Sequence, residues 1–134
     1  MGLFSWLLGD STPLAELGGS GDFRIEVVGE SNYQRELRAV VKAKETPEGG
    51  KLVQARLYLE DDNPYDKKAV RVAIDGRTVG YLSRENARLY RRELEKSAHP
   101  RVVGVCAAKI YGGQRKPDRS RKSFGVWLDI PANG

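Results

Sequence analysis

Alternation of apolar and polar residues divides the chain into short segments. Phe23-Arg24-Ile25-Glu26-Val27-Val28 alternates and is β-branched, which predicts a strand. Gly29-Glu30-Ser31-Asn32 predicts a turn. Tyr33 to Leu37 continues as a short segment with the length of a helical turn, and Arg38 to Ala43 is read as a second strand. Leu52 to Glu60 predicts a third strand, with Val53, Ala55, Leu57 and Leu59 on one face. Residues 69–74 and 77–82 follow as strands around Asp75-Gly76, a tight hairpin turn. Ser83 is a good helix N-cap, and the helix it starts places Ala87, Tyr90, Leu94 and Ala98 on one face before Pro100 ends it. Residues 102–110 and 124–130 read as the last strands.

Before these segments lies a different composition. Residues 1–21 read as an apolar and acidic tail with a Gly-rich linker, residues 22–131 as the domain, and residues 132–134 as a C-terminal tail. Leu3, Phe4, Trp6, Leu7 and Leu8 suit a short amphipathic helix that docks on the domain or contacts a partner, with a membrane surface as the less favoured alternative because no Lys or Arg is present to hold anionic lipid. Short strands with one or two helices predict a mainly β fold, a small OB/SH3-like antiparallel β-barrel.

The chain has 134 residues, enough for one domain of ordinary size. Its charge is uneven. Residues 84–134 hold 12 basic and 5 acidic residues, whereas residues 1–22 hold three acidic residues and no Lys or Arg. A basic C-terminal third makes a polyanion the default partner. The alternative is a solvated basic face.

Several chemistries are excluded. His99 and Cys106 are the single His and Cys, so one chain cannot build a structural zinc site or a disulfide. A lone thiol fits a reducing, cytoplasmic location. No apolar run is long enough for a membrane span. The Gly50-Lys51 pair is followed by Leu52, with Glu45 where a phosphate loop needs its first Gly. Neither a catalytic residue nor a cofactor is predicted. Glu60, Asp61, Asp62 and Asp66 could hold Mg²⁺ for phosphodiester cleavage, or could simply form a hydrated turn. The segment 112–122 carries Arg115, Lys116, Arg119 and Arg121, candidates for phosphate contact on a mobile loop. Tyr33, Tyr65 and Tyr81 are candidate stacking rings.

These same loops carry a pattern. Val27-Val28-Gly29-Glu30-Ser31-Asn32-Tyr33-Gln34, then Asn63-Pro64-Tyr65-Asp66-Lys67-Lys68-Ala69-Val70, then Val79-Gly80-Tyr81-Leu82-Ser83-Arg84 resembles the HIRAN domain. The resemblance implies a small OB-like barrel. It implies capture of single-stranded DNA and recognition of a free 3′-hydroxyl, as in the Swi/Snf-type ATPases that remodel stalled replication forks. The family's Arg-Tyr-Tyr triplet falls on Ser31, Asn32 and Tyr33, so only the last ring is kept. The Asp that holds the 3′-hydroxyl matches Asp66, and Tyr65 matches the ring lining its pocket. Tyr81 stands where the DNA-binding members have His, and Arg84 matches a Lys that meets phosphate.

The expected function is a non-enzymatic nucleic-acid-binding module for single-stranded DNA or another nucleic acid. The expected site is Asn32, Tyr33, Tyr65, Asp66, Tyr81, Arg84, Arg115, Lys116, Arg119 and Arg121, with no metal. A helicase, a nuclease or another protein is a candidate partner, and a protein-interaction module working through the N-terminal tail is the alternative.

Overall fold

The structure, a computed structural model, describes residues 4–7 and 10–131, with side chains from Leu14 to Pro131. It is mainly β with two helices. The strands are β1 (Phe4–Leu7), β2 (Asp10–Glu16), β3 (Ile25–Glu26), β4 (Lys51–Glu60), β5 (Ala69–Ile74), β6 (Arg77–Tyr81), β7 (Val103–Tyr111) and β8 (Gly125–Asp129). The helices are α1 (Gln34–Val41), entered through a 3-10 turn over Glu30–Tyr33, and α2 (Arg84–Glu95).

A curled antiparallel sheet runs β6-β5-β4-β7-β8-β3. Its two ends meet at one point. The Val28 N–H donates to the Tyr81 carbonyl at 2.8 Å and the Tyr81 N–H to the Val28 carbonyl at 2.9 Å. This bridge joins the chain leaving β3 to the end of β6, which gives the OB-like barrel shape and leaves β6 without a long free edge there.

Alternation explains the core. In β4, Ala55 and Leu57 are fully buried, and Val53 and Leu59 pack against the same cluster, as their spacing predicts. Val70 and Val72 of β5, Ile110 of β7 and Val126 and Leu128 of β8 fill the rest. Two glycines are required by geometry. At the β5–β6 turn Asp75 and Gly76 both take positive φ, 52° and 74°, the pattern of a two-residue hairpin. In β6, Val72 pairs with Gly80 and Ala73 with Thr78, so Val79 is an extra residue and the strand is bulged. A Cβ at Gly80 would stand 2.4 Å from a Val27 methyl and 2.6 Å from the Val28 carbonyl oxygen. Only Gly lets β6 approach the chain that closes the barrel.

Two local expectations are corrected. Arg38 to Val41, read as strand, belongs to α1: Leu37, Val40 and Val41 are buried at helical spacing i, i+3, i+4. A short apolar run is ambiguous between the two periods, and here the helical one buries all three. Near the N-terminus, Phe4–Leu7 is strand rather than helix, paired antiparallel with β2. Leu3 and Leu8 of that predicted helix, and the predicted C-terminal tail 132–134, lie outside the described residues. β2 pairs in parallel with β7, and Leu14 joins Val103, Val105 and Tyr58 in a small apolar cluster of its own. Helix α2 matches its prediction closely. The Ser83 hydroxyl accepts from the Asn86 N–H, and Ala87 and Leu94 are buried. Ala98 lies past its end and is exposed.

Candidate nucleic-acid interface

The site is built on the connection between β4 and β5, clamped by one face of α2. Asn63 makes the turn. Its side-chain oxygen accepts from the Tyr65 and Asp66 N–H groups at 2.8 and 3.0 Å, and its amide donates to Glu60 Oε1 at 2.8 Å. This Asx-type bonding fixes the loop through hydrogen bonds of its own side chain. Pro64 and Tyr65 are pushed outward, and Tyr65 is 86% exposed.

Asp66 is held firmly. Arg88 donates to both of its oxygens at 3.1 Å, and the Lys68 N–H donates to Oδ1 at 3.0 Å. The Arg88 hydrogen bonds, then that N–H, hold the carboxyl below its ordinary range. Arg84 Nε lies 3.9 Å from Oδ2, an ion pair beyond hydrogen-bond length, while its Nη2 donates to the Tyr65 carbonyl at 3.1 Å. Arg91 completes the clamp, donating to the Lys68 and Ala69 carbonyls at 2.7 and 2.8 Å and to Asp61 at 2.9 Å. Arg84, Arg88 and Arg91 thus line one face of α2 at spacings of four and three.

Behind the loop, Glu60 is the hub. Its Oε1 accepts from the Tyr81 hydroxyl at 2.7 Å, and its Oε2 meets Arg71 Nε at 3.1 Å. Arg71 also lies over the Tyr58 ring, 4.5 Å from its centre. Burial, then the Glu60 hydrogen bond, pushes the Tyr81 hydroxyl up to about 12. Tyr33 is close enough to Tyr81 to add to that shift. Asn32 is exposed on the 3-10 turn, beside the Val28–Tyr81 bridge.

The structure therefore brings Asn32, Tyr33, Tyr65, Asp66, Tyr81 and Arg84 to one region. It places Arg115, Lys116, Arg119 and Arg121 elsewhere. Residues 113–122 form an ordered hairpin rather than an open loop. Arg115 and Arg121 are bridged, the Lys116 N–H donates to the Ser120 carbonyl at 2.7 Å, and Arg119 takes φ 73° at the turn. The hairpin is tied to the segment after α1: the Thr46 N–H donates to the Gly112 carbonyl at 2.9 Å. Arg121 is half-buried, donates to the Gly113 carbonyl at 2.8 Å and faces Glu45 at 3.8 Å. It serves the hairpin itself, whereas Arg115, Lys116 and Arg119 are exposed.

Three of the four acidic residues of the 60–66 segment are committed to arginines, Glu60 to Arg71, Asp61 to Arg91 and Arg101, and Asp66 to Arg88, while Asp62 is exposed. Among the described residues no group of three or more His, Cys, Asp or Glu is arranged to hold a metal. Sequence reasoning missed Asn63, Arg71 and Arg88. The signal for Arg88 was its place four residues after Arg84 on a predicted helix.

A curled, bulged barrel with an Asn-Pro-Tyr-Asp loop clamped by a helix is a small OB-like binding domain. The HIRAN domain family model matches residues 20–116, and the chain belongs to that family. The family suggests a nucleic-acid-binding module. No curated protein matches the sequence. Among solved structures, a protein from Lactobacillus plantarum is similar at 20% identity, over 78% of this chain and 88% of that one, with a TM-score of 0.38. Among the described residues no helix is long and apolar enough to cross a membrane.

Proposed function

We propose that this HIRAN domain is a binding module, without catalysis of its own, that takes the 3′-hydroxyl end of single-stranded DNA on the loop 63–66. The observation that carries the reading is the exposed Tyr65 ring beside a carboxylate with one acceptor position unfilled. A carboxylate has about four lone-pair sites. Among the described residues, Arg88 and the Lys68 N–H use three of them on Asp66. The remaining one is on Oδ2, on the side of Arg84. A terminal hydroxyl can donate there. A terminal phosphate has little to donate and is repelled by the carboxylate, so the arrangement favours hydroxyl ends.

The neighbours suit the rest of the nucleotide. Tyr65 offers a ring face to a base, worth roughly 1 to 3 kcal/mol. Arg84, with 71% of its side chain exposed, stands in the first turn of α2, where backbone N–H groups already favour an anion. Asn32 and Tyr33 extend the surface toward the 3-10 turn, with Ser31 and Asn32 replacing a cation and a ring of the family pattern.

Fluorescence anisotropy tests this with three labelled probes at two salt concentrations: a short single strand ending in 3′-hydroxyl, its 3′-phosphate twin, and a blunt duplex. The proposal requires the 3′-hydroxyl strand to bind tighter than its twin. Equal binding of all three probes would remove Asp66 from the role of end sensor.

A further inference from the structure

One group of exposed cations lies away from the loop 63–66. Arg35 and Arg38 of α1 and its C-cap residue Lys42 fall at i, i+3 and i+7, a stripe along one side of the helix and its end. All three are exposed. Gln34 lies between this stripe and the buried face of Leu37, Val40 and Val41, and it fixes what borders the stripe. Its amide donates to the Phe124 carbonyl at 2.9 Å, and its oxygen accepts from the Phe124 N–H at 2.8 Å. Phe124 follows the 113–122 hairpin after Ser123. At the other end of α1, Thr46 and Glu45 meet Gly112 and Arg121. The start of α1 and the segment that follows it are thus both tied to the chain that carries Arg115, Lys116 and Arg119.

Carboxylates are few on this surface. Glu45 faces Arg121, and Asp118 accepts from the Ser120 N–H at 2.9 Å inside the hairpin turn. Glu36 lies on the opposite flank of α1 from Gln34. Neither residues 35–45 nor residues 113–122 contain Phe, Tyr or Trp. The nearest exposed ring is Tyr111, 39% exposed at the foot of the hairpin beside Gly50, so the cations themselves have no ring among them.

We infer that the α1 stripe and the 113–122 hairpin form a second nucleic-acid surface, which binds the phosphate backbone of a duplex without reading its sequence. The absence of rings among these cations argues against a single strand, whose successive bases need faces to stack on. Charge density argues for a duplex, which carries one phosphate charge per about 1.7 Å of axis. The stripe from Arg35 to Lys42 spans about 10 Å, enough to meet several such charges. This inference stands on residues outside the 63–66 loop and does not depend on end recognition.

The test compares Arg38→Gln with Arg115→Gln, one residue from each element, in a double variant. The control double variant, Arg92→Gln with Lys96→Gln, removes the same charge from the far end of α2. Binding of a blunt duplex is followed by anisotropy from 50 to 200 mM salt, with thermal unfolding as a check on folding. Each phosphate that is no longer neutralised lowers the slope of log K against log salt by about 0.9. The Arg38/Arg115 variant is expected to lose about 2 units of slope, each single variant about 1, and the control none. An unchanged slope in the double variant overturns the inference, as does an equal loss in the control, which would mean net charge alone. The ratio of 3′-hydroxyl to 3′-phosphate binding is read on the same variants. Its absence would remove the end-sensing reading and leave the slope result standing.

Discussion

Arg88 grips both carboxylate oxygens of Asp66, at 3.1 Å each, from one turn into α2. This pairing sets the direction of the carboxylate and leaves one acceptor position on Oδ2, faced by Arg84 Nε at 3.9 Å, without a donor in hydrogen-bond range. Arg88→Ala is expected to let Asp66 rotate, so that discrimination between 3′-hydroxyl and 3′-phosphate strands falls at least several-fold. Arg88→Lys should not rescue it, because an ammonium cannot hold two oxygens in a fixed plane. The ratio of dissociation constants for the two strands is the measurement. An unchanged ratio in Arg88→Ala would show that the pair only staples the loop.

Tyr65 separates stacking from folding. Its ring is 86% exposed, so Tyr65→Ala should leave the thermal midpoint nearly unchanged. Loss of one stacked base should weaken single-strand binding by about 1 to 3 kcal/mol. Tyr65→Phe keeps the ring face and should bind like the parent. Titrations of both variants against one labelled single strand give the comparison.

Much of this arrangement was legible in the sequence, and the part that was not has a physical cause. β4, β5, β6 and α2 follow from alternation, an Asp-Gly turn and a Ser N-cap, all local signals. The stretch Arg38 to Val41 misled because apolar residues at 37, 40 and 41 satisfy a helix while Val40-Val41 also suits a strand. Arg88, the two-point partner of Asp66, was hidden because it comes from an element 22 residues away. Charge arithmetic over the C-terminal third counted Arg88 and Arg91 as free for phosphate. In the fold they neutralise the acidic loop, whereas Arg35 and Arg38 of α1 and Arg115, Lys116 and Arg119 of the hairpin stay exposed.

Acid should weaken the Glu60 hub in a definite direction. Burial raises the Glu60 pKa, but hydrogen bonds from Tyr81 and Asn63 and the charge of Arg71 outweigh it, and the folded value lies below the ordinary 4.5. A depressed folded pKa gives stability that is complete above about pH 4.5 and is lost as pH falls through the folded value. Asp66 and Asp61, both lowered from 3.8, act in the same sense at lower pH. Glu60→Gln should lower the thermal midpoint at pH 7, and its curve should approach that of the parent as pH falls toward 3. Parallel curves over that range would exclude the hub as a source of acid sensitivity.

Tyr90 tests the opposite case, a polar group that gains nothing from its place. Its hydroxyl is buried against Gly104 with no hydrogen-bond partner among the described residues, and burial raises its pKa strongly. A cavity of about 350 Å³ opens beside it, lined by Leu17, Ile25, Leu89, Leu94 and Ile130. Burying an unpaired hydroxyl costs about 1 to 3 kcal/mol. Tyr90→Phe removes that cost and keeps the ring. It should raise stability by about 1 kcal/mol in chemical denaturation without changing binding to DNA. A loss of stability would mean that the hydroxyl is paired, most simply by a water in the cavity.

Gly80 carries the sharpest demand in the barrel. Its φ of 152° and its contact with Val27 and the Val28 carbonyl leave no room for a methyl group. Gly80→Ala must push β6 away from the chain that follows β3. The two hydrogen bonds between Val28 and Tyr81 are the first to lengthen. Tyr81 then moves relative to Glu60, so the change reaches the site through the backbone rather than through any side chain of its own. A cost of about 2 to 3 kcal/mol is expected, from overpacking and from the strained backbone together. Amide exchange of Val28 and Tyr81 is the discriminating measurement. Faster exchange at these two positions than at β4 and β7 would place the damage at the closure, whereas uniform acceleration would show only a globally weaker barrel.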